Sequence, residues 1–188
     1  MDQDRWTGVV LVGGGSTRMG EDKALLTFEG RTFLDRALDV LDPVVDDLLV
    51  IGDPAKYGHV GPFVIADESP GKGPLGGLVT AMRYTSNARV LLLACDMLGV
   101  TGALLLRLKE LLGHQTDAVV PRHHGRVEPL AAAYDRRCLP VFARCVNEGV
   151  LKMGDALALV RTSFVETIPG TGPWPADLFR NVNSPADL

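Results

Sequence analysis

Three adjacent glycines, Gly13, Gly14 and Gly15, follow an apolar run in the stretch LVGGGSTRMGEDKALL (11 to 26), and two isolated cations, Arg18 and Lys23, follow the glycines. A glycine has no Cβ, so its N–H can approach a phosphate oxygen closely and its backbone tolerates positive φ. Arginine adds a planar fork of donors and lysine a point charge. Together they suit a polyphosphate. Two well-known phosphate loops do not fit. A Walker A loop needs Gly, four residues and then Gly-Lys-Ser/Thr, but Gly15 is followed at that distance by Gly20 and Glu21. A dinucleotide fingerprint needs glycines at relative positions 1, 3 and 6, and from Gly13 the sixth place is Arg18. On physical grounds alone the stretch fits either a phosphate cradle or a tight strand-to-helix turn with a solvated Arg and Lys.

Asp96, at the end of the apolar run in LLLACDML (91 to 98), is the second chemical feature. A carboxylate beside so much apolar surface needs compensation. A hard divalent cation such as Mg2+, held by one or two carboxylates plus substrate phosphates, would supply it. A helix cap or a closed turn would serve as well.

These residues must be positioned by regular elements. Apolar runs at 8 to 12, 48 to 52, 63 to 67, 89 to 95, 117 to 121, 129 to 134 and 163 to 168 read as strands, most of them continuous rather than alternating, as expected for strands covered on both faces. Residues 32 to 41 repeat apolar side chains at Phe33, Leu34, Ala37, Leu38 and Leu41, with Thr32 as N-cap and Pro43 beyond the end. Residues 101 to 113 do the same between Thr101 and Gly113, and 74 to 85 and 137 to 149 read as weaker helices, the latter with Pro140 in its first turn. Strand-helix alternation predicts an α/β fold with a mostly parallel central sheet and helices on both faces. In such sheets ligands sit beyond the carboxyl ends of the strands, where the glycine loop, Asp67, Asp96 and the HHGRVEP turn (123 to 129) all fall.

Composition narrows the classes. The 188 residues are 46% hydrophobic, enough for one packed domain. The net charge is -4 and the 19 Lys and Arg are scattered, which argues against nucleic acid or a membrane surface as partner. The acidic start MDQDRW and the lack of a long apolar run predict a soluble, cytoplasmic protein. Cys95, Cys138 and Cys145 read as small core residues rather than a disulfide or zinc framework. His123 and His124 read as solvated turn residues, His59 and His114 as exposed, Trp174 as a surface loop residue, and Lys152 as a surface lysine with anion contact as the alternative.

The opening stretch closely resembles the LAGGxSxRMGxDKxLL signature of nucleotidyltransferases of the molybdenum cofactor guanylyltransferase (MobA) type. DESPGKGPLGGL (67 to 78), ACDML (94 to 98), GRVEPLAAAY (125 to 134) and NVNSPADL (181 to 188) resemble further family segments in the same order, with Val12 in place of the usual Ala and Leu98 in place of the usual Pro. The resemblance implies a three-layer Rossmann-like nucleotidyltransferase fold over a single domain, 1 to 188, in which the part up to about residue 100 binds nucleotide and the remainder the pterin acceptor. It implies transfer of GMP from GTP to the phosphate of molybdopterin, with release of pyrophosphate and with Mg2+ as cofactor. Leu11, Val12, Gly13, Gly14, Gly15 and Ser16 would hold the nucleotide, with Arg18 and Lys23 on its phosphates. Asp67 would contact the nucleoside, and Asp96 would bind the metal. Arg126, Glu128, Asn181 and Asn183 would line the acceptor pocket. Gly14 favours GTP, since relatives of the cytidylyltransferase type carry Ala there. Cytidylyl transfer, another NTP-dependent transfer and a non-catalytic GTP-binding module are the alternatives. Proteins that deliver or collect the cofactor are a further class of partner left open.

Overall fold

A computed structural model describes residues 4–13 and 22–180. Eight of its strands form one sheet in the order β10-β7-β9-β6-β1-β4-β5, with β8 paired to β7. The chain enters through β1 (Trp6–Leu11), whose parallel neighbours are β4 (Asp47–Ile51) and β6 (Arg89–Ala94). Parallel neighbours need crossovers, and α1 (Phe33–Leu41), preceded by the small hairpin β2 (Thr27–Phe28) and β3 (Arg31–Thr32), provides the first. A short helix α2 (Pro54–Tyr57) leads to the edge strand β5 (Phe63–Ile65), and α3 (Gly73–Tyr84) returns the chain to β6. After α4 (Gly102–Leu111) come β7 (Ala118–His123), β8 (Arg126–Val127) and β9 (Ala131–Asp135), then α5 (Leu139–Glu148), α6 (Met153–Leu157) and β10 (Thr162–Glu166).

The sheet has two faces and each buries its own core. Side chains alternate along a strand, so Val10, Leu91 and Leu93 face α1 and α4, while Val9, Val90 and Leu92 face α3, α5 and α6. This is why the strands read as continuous apolar runs: both faces are covered. The cysteines join the apolar clusters, Cys95 on the first face and Cys138 and Cys145 on the second, all buried and free.

Helix α1 follows its sequence signals closely. Thr32 accepts from the Asp35 amide at 3.0 Å, Asp35 accepts from the Thr32 amide at 3.3 Å, and the five periodic apolar residues are the buried ones. Elsewhere the boundaries move. Helix α4 ends at Leu111 rather than Gly113, because the backbone turns at Leu112 (ψ 87), which buries that leucine. The strand expected at 129 to 134 begins at Ala131 and runs antiparallel to both β6 and β7. Its direction follows from the tight hairpin before it, where His124 (φ 46) and Gly125 (φ 78) both take positive φ and reverse the chain between β7 and β8.

Trp174 lies in a loop as expected, half-buried and packed against the first core. The segment around it is held down where Leu178 is fully buried. No helix of the described residues is long and apolar enough to cross a membrane.

Candidate active site

A cleft of about 720 Å3 opens at the carboxyl ends of β1, β4 and β6. Leu11, Val12 and Gly13 form one wall where β1 ends, and the N-terminal part of α3 closes the opposite side with Gly73, Pro74 and Gly77. Beyond the strands the ladder continues: the Val12 amide donates to the Ile51 carbonyl at 3.0 Å and the Gly52 amide to the Ile65 carbonyl at 2.9 Å. Gly13 has φ 84, a conformation that favours glycine, and Gly77 lets α3 approach Leu11, whose Cδ2 lies 3.0 Å from where a Cβ would stand. Val12 is buried, and its Cγ2 occupies the place a Cβ on Gly52 would need, 2.3 Å away. The extra bulk relative to the Ala of the resembling signature is therefore matched by a glycine just past the end of β4.

Two of the charged residues picked from sequence meet here. Lys23 Nζ donates to Asp96 Oδ2 at 2.7 Å, with both side chains partly buried. Asp96 stands at the end of β6, and Lys23 opens a 3-10 turn, Lys23–Leu25. Asp22 caps that turn by accepting from the Ala24 amide at 3.2 Å. The other oxygen of Asp22 accepts from the Tyr57 hydroxyl at 2.5 Å and from Lys56 Nζ at 3.3 Å. Burial works to raise the Asp22 carboxyl, but these donors outweigh it and hold the group below its ordinary value. Burial and then the bond to Asp22 push the Tyr57 hydroxyl well up, so Tyr57 remains a donor. Cys95, beside Asp96, is pushed up to about 12 by burial first and then by the Asp96 charge, so it offers no thiolate near neutral pH.

Asp67 also lines the cleft. Its Oδ1 accepts from the Ser69 amide and from Thr80 Oγ1, both at 2.9 Å, which ties the loop after β5 to α3. Thus Leu11, Val12, Gly13, Lys23, Asp67 and Asp96 share one cleft. Gly14, Gly15, Ser16, Arg18, Asn181 and Asn183 lie outside the described residues. Arg126 is exposed on β8, and the Glu128 carboxylate is turned to His123, its Oε1 2.7 Å from His123 Nε2. His123 is accordingly not the solvated turn residue expected. It is largely buried, and its ring stacks on Phe179 with centroids 4.6 Å apart. Sequence reasoning passed over Asp22, Gly52 and Tyr57. Asp22 adjoins Lys23 and fits the capping preference, whereas nothing local marks Tyr57, which lies 35 residues from its partner.

The donor set suits a hard divalent cation. Asp96 offers a carboxylate at the cleft, and one or two carboxylates completed by phosphate oxygens and water is a set such a cation accepts; among the described residues no group of three His, Cys, Asp or Glu converges. The paired Lys23 matches the charge that accompanying phosphates would bring.

The chain is similar to known proteins. A Bacillus cereus protein named "Probable molybdenum cofactor guanylyltransferase" is 32% identical over 188 residues, covering 96% of this chain and 92% of that protein. The crystal structure of molybdopterin-guanine dinucleotide biosynthesis protein A from Archaeoglobus fulgidus shares the fold with a TM-score of 0.78 at 23% identity, over 96% of this chain and 94% of that one. A Mycobacterium tuberculosis protein solved in complex with manganese matches with a TM-score of 0.68 at 24% identity, over 94% and 93% of the two chains. Residues 8–161 match the MobA-like NTP transferase domain, and the chain belongs to that family of nucleotidyltransferases.

Proposed function

We propose that the protein transfers GMP from GTP to the terminal phosphate of molybdopterin and releases pyrophosphate. The observation that carries this reading is the convergence of Leu11–Gly13, Lys23, Asp67 and Asp96 on one cleft, in a chain whose relatives carry the guanylyltransferase name. In the reaction an oxygen of the acceptor phosphate forms a bond to the α-phosphorus of GTP in line, as the bond to the β-phosphate oxygen breaks. The attacking oxygen is already an anion, so no general base is required. The barrier is the meeting of two anions, and positioning and charge neutralisation lower it.

Each residue has a defined part. The backbone of Leu11 to Gly15, with Ser16, cradles the nucleotide, and Gly14 leaves room for a purine. Lys23 and Arg18 carry the phosphate charge. Asp67 would meet the nucleoside, and Asp96 would hold Mg2+, which when bound would supply positive charge against the phosphates. To take up these roles Lys23 and Asp96 exchange their mutual bond for ligand contacts. The part of the chain up to about residue 100 serves the nucleotide, and Arg126, Glu128, Asn181 and Asn183 serve the acceptor. The test is pyrophosphate release with Mg2+, molybdopterin and each NTP in turn. Release with GTP alone, dependent on the acceptor, is expected. Release with CTP instead would move the assignment to cytidylyl transfer, and GTP binding without release under any acceptor would make the protein a binding module.

A further inference from the structure

Lys23 can act on phosphates only if its backbone is fixed, since a lysine has four rotatable side-chain bonds and a mobile origin would spread its ammonium over the cleft. Its origin is a single 3-10 turn, and that turn is held by Asp22 through the 3.2 Å bond from the Ala24 amide. The holding carboxylate is itself held at its other oxygen. Lys56, 56% exposed at its side chain, is a weak tether there. The Tyr57 hydroxyl is a strong one: it donates at 2.5 Å from a residue only 2% exposed. The ring is wedged against Gly52, where a Cβ would come within 2.9 Å of it, so the hydroxyl has little freedom to move. Tyr57 is not among the residues that line the cleft. A phenylalanine would fill the same apolar space. The hydroxyl therefore has a use that packing does not explain.

We propose that Tyr57 is a positioning residue for Lys23: its hydroxyl locks Asp22, Asp22 caps the turn, and the capped turn aims the ammonium at the nucleotide phosphates. This inference rests on the proposed role of Lys23 in triphosphate binding. Without the hydroxyl, Asp22 Oδ2 is left to the exposed Lys56 and the carboxylate is free to rotate off the Ala24 amide.

The test is a double-mutant cycle on binding, read by calorimetric titration of GTP in the presence of Mg2+. Tyr57→Phe should weaken GTP by about tenfold, the low end of the loss seen when an outer partner that orients a metal ligand is removed. Lys23→Ala should weaken it further, and the double variant should bind no worse than Lys23→Ala alone, because the hydroxyl acts only through that lysine. Thermal unfolding of Tyr57→Phe should remain cooperative, since the ring is retained and only the bond to Asp22 is lost. Losses that multiply in the double variant, or less than a twofold effect of Tyr57→Phe, would overturn the inference. Should Tyr57→Phe not fold, Asp22→Ala takes its place in the same cycle with the same criteria. If the protein prefers another NTP, the cycle is run with that one, and the outcome judges the role of Tyr57 separately from the identity of the nucleotide. Binding of no NTP would remove both readings.

Discussion

Replacing Gly99 by alanine should detach the closing segment of the described chain. A Cβ at Gly99 would stand 1.9 Å from the Asp177 carbonyl oxygen, 2.7 Å from its carbon and 3.1 Å from the Leu178 carbonyl carbon. These are backbone atoms, and they cannot swing aside as a side-chain tip does. The Asp177 carbonyl also accepts from the Arg180 amide at 2.8 Å, so the turn it belongs to resists rotation. The segment must instead retreat by roughly 1 Å, and Leu178, at 0% exposure, is drawn from the first core. Partial loss of one buried leucine, with the void left behind, costs about 2–3 kcal/mol. For a chain of this size each kcal/mol lowers the Tm by about 2–4 °C, so a fall of about 4–12 °C is expected. Scanning calorimetry of wild type and Gly99→Ala measures it. A Tm within 2 °C of wild type would refute the reasoning, since no backbone contact of that closeness could then be present.

Lys23→Ala and Asp96→Ala should each abolish turnover while circular dichroism melts remain cooperative, with about 3–5 kcal/mol of transition-state stabilisation lost if they act as the cations and metal ligands of other phosphoryl-transfer enzymes do; near wild-type pyrophosphate release in either would exclude the assigned role. Gly52→Ala should destabilise by about 1–3 kcal/mol through overpacking against Val12 and Tyr57. Because the shortest clash, 2.3 Å, is with a Val12 methyl, adding Val12→Ala should recover much of the loss in urea titrations, and no recovery would contradict the packing. Asp117 is held below its ordinary value of 3.8 by its bonds from Arg161, against the opposing effect of burial. A carboxyl lowered in the folded state stabilises fully above the unfolded value and loses that contribution as pH falls through the folded one. Wild type should therefore lose more stability between pH 6 and pH 3 than Asp117→Asn does, and equal losses would show that the Arg161 pair does not matter to acid unfolding.

Much of this molecule is written in short-range pattern. The seven apolar runs became strands, and the four amphipathic or capped stretches became helices, because alternation and 3.6-residue periodicity depend only on near neighbours. The doubly covered sheet was legible for the same reason. Helix α3 shows the limit of that signal: read as weak, it is buried along eight of its residues, because its position between the sheet and α5 rather than its own periodicity determines its burial. The reversed strand β9 was also unreadable, since an alternating or continuous run has no direction until the hairpin before it sets one.

The site divides along the same line. The residue types and their order in the chain offered phosphate chemistry as one of two readings of the glycine stretch, and a carboxylate at the end of a buried strand was a candidate ligand for a cation or a cap for the next turn. What the sequence did not contain was which groups touch. Lys23 meets Asp96 across 73 positions, Tyr57 meets Asp22 across 35, and Glu128 turns to His123. Such contacts form only when the strands have been ordered and the helices packed, because they depend on how separate elements are brought together. Spacing along the chain determined the elements and their local caps, and long-range packing decided which side chains from separate elements hold one another in place.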